Sequence, residues 1–115
     1  VADGYELFQE RMAGFMKLVN RLKCDIWGYG AGQMIPALAY YLDSNLSYLK
    51  GILDDDLSRC GLTYADLPVR ILQPDAQLDL GDAAVVITSL DAVRPIIKRL
   101  QDFAPRLILV PNNVF

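Results

Sequence analysis

The chain has 115 residues, the size of one domain with a single core and too short for two catalytic domains. Its composition, 53% hydrophobic and 22% charged, excludes disorder, and a net charge of −3 gives no electrostatic basis for binding nucleic acid or an anionic membrane. The longest apolar run, Met34 to Leu42, contains Pro36 and is far too short to span a bilayer.

There is no histidine, and Cys24 and Cys60 fit no metal-ligand spacing, so zinc and imidazole acid–base chemistry have little to work with. Two buried, reduced thiols are the preferred reading. Together with the lack of a basic-then-apolar leader, they predict a cytoplasmic protein. The start at Val1 rather than a methionine suggests a piece of a larger enzyme.

In chain order, Val1 to Gly4 reads as a frayed end. Tyr5, Phe8, Met12, Phe15, Val19 and Leu22 then recur at steps of three and four, predicting an amphipathic helix over Tyr5–Lys23. Its apolar stripe packs on the sheet or faces a neighbouring domain or a second copy in a homodimer. Cys24–Tyr29 is the first strand. A helix from about Gln33 to Leu42 follows, with Pro36 confined to its first turn.

Leu46–Leu53 contains the second strand, which closes in Asp54, Asp55 and Asp56. Leu57–Pro68 is a loop with at most a short helical turn. Val69–Leu72 is a third strand, and a short turn or helix leads from Gln73 toward Leu80. Ala83–Ile87, with no polar alternation, reads as a strand covered on both faces. Asp91 can cap a helix over Ala92–Phe103, and Arg106–Val110 is a fifth strand.

Strands alternating with helices predict an α/β, three-layer Rossmann-like domain over residues 1–115, with a mostly parallel five-stranded sheet in the order 3-2-1-4-5. The order reverses between the first and fourth strands, which opens a crevice beyond the strands' carboxyl ends. Its expected lining is Gly28, Tyr29, Gly30, Ala31, Gly32 and Gln33, then Thr88, Ser89 and Asp91, with Asp54 on one flank and Asn112 and Asn113 on the other.

The turn Gly28-Tyr29-Gly30-Ala31-Gly32-Gln33 departs from the dinucleotide fingerprint at its third glycine. Gly28 would make the tight turn, Gly30 would admit a pyrophosphate, and the turn's amides would be left unpaired for it. Asp54, 26 residues after Gly28, would accept hydrogen bonds from a ribose, somewhat later than the usual interval of about 20. Thr88 and Ser89 either donate hydroxyls to a ligand or, as the preferred reading, end a strand and cap a helix. Asn112 and Asn113 reach a sugar or phosphate or simply form a turn. Tyr29 and Tyr64 are candidates to stack on a ring, and Trp27 reads as core. Arg59 and Arg70 are the best phosphate partners by charge, but nothing in the sequence places them in the crevice.

The turn Gly28-Tyr29-Gly30-Ala31, the acidic end of the second strand, Gly61, and Leu67-Pro68-Val69-Arg70-Ile71-Leu72-Gln73-Pro74 together resemble the carboxyl-terminal domain of nucleotide-sugar C-methyltransferases. The first helix and a final strand ending in Val110-Pro111 fit it as well. Met34 departs from the family, which carries a lysine there. The resemblance implies a domain that holds a nucleotide-linked sugar and has no complete active site. The cofactor S-adenosylmethionine and the catalytic methyltransferase domain would lie elsewhere in the parent chain, so this domain itself would bind no cofactor, no metal, no nucleic acid and no membrane. Two readings stand beside it: an NAD(P)- or nucleotide-binding oxidoreductase-like or sensor module, and a structural assembly domain.

Overall fold

The computed structural model describes residues 2–32, 35–42, 45–64, 67–75, 78–89 and 92–111. Five short strands, β1 (Ile26–Tyr29), β2 (Ile52–Leu53), β3 (Ile71–Leu72), β4 (Ala84–Ile87) and β5 (Leu107–Leu109), form one sheet in the order β3-β2-β1-β4-β5. Every neighbouring pair is parallel, with Gly28 between Ile52 and Val86 and Tyr29 between Leu53 and Ile87. The α/β class and the strand order agree with the alternation in the sequence.

Side chains alternate across a strand, so this register sorts the core into two layers. On one face Ile26, Ile52, Ile71, Ala84 and Val86 meet Met12, Phe15 and Val19 of α1 (Ala2–Arg21) and Ile35, Leu38 and Ala39 of α2 (Ile35–Leu42). On the other, Tyr29, Leu53, Val85 and Ile87 meet Ile96 and Leu100 of α3 (Val93–Leu100). All four residues of β4 are buried, as a central strand covered on both faces requires. Trp27, expected in the core, is half-buried against the α3 layer.

Several boundaries differ from those expected. α1 begins at Ala2 rather than Tyr5: alanine favours helix, and no proline interrupts the added turn. It ends at Arg21, short of Lys23. The inward positions Met12, Phe15 and Val19 are buried as its stripe predicts, while the side chains of Tyr5 and Phe8 lie outside the described residues. Strand β2 occupies only the end of its expected range, because Leu46 turns the chain with a φ of 61° while burying its side chain completely. The loop after the three aspartates contains one 3-10 turn, Leu57–Arg59, and then runs antiparallel to β3 through a Thr63–Arg70 bridge. Among the described residues between Gln73 and Leu80 there is no helix.

α3 is shorter than Ala92–Phe103. Its amino-terminal cap position is Ala92, with no side-chain hydrogen bond, and Asp91 lies outside the described residues. At its other end the Leu100 carbonyl accepts from the amides of Phe103 (3.0 Å) and Ala104 (3.0 Å), with Ala104 at a φ of 45°, which closes the helix before the expected end. No helix among the described residues is long and apolar enough to cross a membrane.

Candidate functional site

The carboxyl ends of β1 and β4 lie side by side, and beyond them the chain leaves for helices in opposite layers. A cavity of about 180 Å³ opens there. Tyr29, Gly30 and Ser89 form its strand ends, Ala92 and Ile96 supply an apolar wall, and Asp54, Asp55 and Arg59 line the polar side. The expected crevice is therefore present, with a different lining.

Gly30 is the residue that makes the turn. Its φ is +103°, and a Cβ would lie 2.5 Å from the Ser89 Cβ, so both conformation and space demand glycine. The tight-turn role expected of Gly28 passes to it, because Gly28 is still inside β1. A Cβ on Gly28 would press on Thr88 Cγ2 at 3.1 Å and Ile52 Cγ1 at 3.2 Å, so that position serves strand packing rather than a ligand.

Two of the turn amides expected to be open are paired within the chain. The Gly30 amide donates to the Leu53 carbonyl (2.8 Å), and the Ala31 amide donates to Asp54 Oδ2 (2.7 Å). Asp54 is only 7% exposed, and its other oxygen, Oδ1, accepts from the Asp56 amide at 2.8 Å. Arg59 then reaches Asp54 Oδ2 from outside at 3.2 Å. The ribose-accepting role expected of Asp54 is thus displaced: a buried carboxylate needs several donors, and the nearest are the protein's own.

The three adjacent aspartates have three separate destinations. Asp54 points inward to the turn. Asp55 accepts from the Tyr29 hydroxyl (2.6 Å) and from Arg99 Nε (3.3 Å), with Arg99 also stacked over the Phe103 ring. Asp56 turns back to cap the 3-10 turn, accepting from the Ser58 amide (3.0 Å) and hydroxyl (2.7 Å). Those two bonds hold the Asp56 carboxyl below the usual range. Two guanidiniums therefore balance the two carboxylates at the cavity, and the three charges do not simply repel an incoming anion.

Tyr29 is buried and engaged, so it does not stack on a ligand ring; burial first, and then Asp55, push its hydroxyl pKa well up. Tyr64 is likewise used internally, donating to the Gly32 carbonyl at 2.8 Å. Thr88 is neither cap nor ligand donor: its buried hydroxyl donates to the Gly30 carbonyl at 2.7 Å and locks the turn to β4. Ala31 is buried and Gly32 half-buried, and neither lines the cavity. Gln33, Asn112 and Asn113 lie outside the described residues. Of the two arginines singled out by charge, Arg59 lies at the cavity and Arg70 does not. Asp55 was not expected there, although its position two residues past a strand end was a signal of it. Cys24 and Cys60 are free and half-buried.

No family model, curated protein or solved structure matches this chain. The resemblance to the methyltransferase domain thus rests on its sequence motifs alone.

Proposed function

We propose that the chain is a Rossmann-like substrate-binding domain of a sugar-modifying, S-adenosylmethionine-dependent methyltransferase, holding a nucleotide-linked sugar for a catalytic domain elsewhere. The observation that carries this reading is the convergence of Arg59, Asp54, Asp55 and Ser89 at the switch point of the sheet. Arg59 offers a planar, half-exposed guanidinium suited to a phosphate, and the half-exposed Asp55 carboxylate offers an acceptor for a sugar hydroxyl. At about 180 Å³ the cavity is smaller than the roughly 300–1,000 Å³ that buries a whole drug-sized ligand. It takes one moiety, the sugar or its phosphate, with the remainder over the surface.

The NAD(P) reading depended on a free Asp54 and open turn amides, and the Asp54–Ala31 hydrogen bond weakens both supports. The assembly reading has one observation in its favour. Leu7 and Leu18, three turns apart on α1 and so on one face, are 46% and 42% exposed. Calorimetric titration with nucleotide sugars, NAD and S-adenosylmethionine tests the proposal. A nucleotide sugar is expected to bind, and Arg59→Ala to weaken it about fivefold, the worth of one exposed charge contact. Binding of S-adenosylmethionine to this chain, or no response to any nucleotide sugar, would overturn it.

A further inference from the structure

The larger concavity lies at the opposite end of the sheet, where strands begin. The end of α1, the link into β1 and the start of β5 enclose an open groove of about 460 Å³, within the size range of small-molecule sites. Arg21, Lys23 and Arg106 line it, with Leu22, Cys24 and Leu107 as its less polar walls. Three cations from two stretches of chain far apart in sequence, residues 21–23 and 106, meet here in a chain whose net charge is −3.

None of the three has an ion pair or a side-chain hydrogen bond among the described residues. The neighbouring carboxylate, Asp25, is turned to Lys50 at 3.6 Å. This contrasts with the crevice, where each arginine has an aspartate partner. The carboxyl end of α1 carries partial negative charge, so attraction for an anion has to come from these side chains and not from the helix.

We infer that this groove is a second ligand site, taking a small multivalent phosphate anion with an apolar group, independent of the crevice. Arg21 and Arg106 hold the anion in bidentate fashion, Lys23 adds a mobile point charge, and the exposed Leu107 covers the apolar part.

The test is an amide NMR titration of the chain with inorganic pyrophosphate as probe, repeated with Arg21→Gln, Arg106→Gln and the double variant. All the substituted side chains are exposed, so folding is preserved, which the undisturbed spectrum of each variant checks. Saturable shifts are expected at Arg21–Cys24 and Arg106–Leu107, with Gly30 and Ser89 unmoved. Each single variant should weaken binding about fivefold and the double variant about twentyfold or more. No saturable shift, shifts centred on Gly30 and Arg59, or an affinity unchanged in the double variant would overturn the site. So would binding of a glutamate-rich peptide without binding of pyrophosphate. The proposed nucleotide-sugar crevice would be untouched by any such failure, because its own test reads Arg59.

Discussion

Asp54→Ala tests the reasoning about the crevice most directly. The substitution removes the acceptor of three donors at once: the buried Ala31 amide, the Asp56 amide and Arg59. A buried amide left without its charged acceptor costs about 2 kcal/mol. The partly buried Asp56 amide gains some access to water, and the loss there is about 0.5 kcal/mol. The half-exposed Arg59 contact adds about 0.5 kcal/mol after solvent screening. The total, about 3 kcal/mol, is a large share of the roughly 5–15 kcal/mol that holds a domain folded. In urea, with an unchanged slope, the midpoint should fall by at least about 1 M. Amide exchange gives the site-specific readout: Ala31 should lose protection while the β4 amides exchange only with global unfolding. Arg59→Ala is the control, since it removes only the outer, half-exposed contacts to Asp54 and Asp56 and should cost under about 1 kcal/mol. A loss below about 1 kcal/mol for Asp54→Ala, or a still-protected Ala31 amide, would refute the claim that Asp54 holds the turn.

Three further outcomes follow from the same geometry. Gly30→Ala should destabilise by about 3 kcal/mol, since a positive φ and a clash with Ser89 combine, whereas Gly61→Ala should cost about 1 kcal/mol. Gly61 also has a positive φ, of +85°, but open space around it, so equal losses in a denaturation series would contradict the steric argument. Thr88→Val keeps the shape but removes the donor to the Gly30 carbonyl, and thermal or chemical unfolding should show a loss of about 1–2 kcal/mol. At high pH the sign is set by burial: the Tyr48 hydroxyl is pushed up to about 12, so the folded state keeps its proton where the unfolded chain has lost it. Stability is therefore full below pH 10 and falls between pH 10 and 12, by up to about 1.4 kcal/mol per unit for this group. The Tyr48 hydroxyl is buried without a hydrogen-bond partner among the described residues, so Tyr48→Phe should stabilise at neutral pH by about 1 kcal/mol and flatten the alkaline decline. A destabilised Tyr48→Phe with an unaltered alkaline limb would count against this account.

What the sequence determined by itself is the order of things along the chain. The stripe of α1, the apolar runs of β1 and β4 and the glycine turn between β1 and α2 are local patterns with periods of two and 3.6, and they carry the topology and the place of the crevice. The tertiary structure decided which polar group meets which. Asp54 and Ala31 are 23 positions apart, and Thr88 and Gly30 58 apart, so no spacing rule announces either hydrogen bond. Those pairings arise because β2 and β4 flank β1 in register and bring their carboxyl ends within 3 Å of the turn, where buried donors and acceptors must satisfy one another. Arg59 reaches the crevice for the same reason: Asp56 caps a 3-10 turn, and that turn carries the guanidinium back over Asp54.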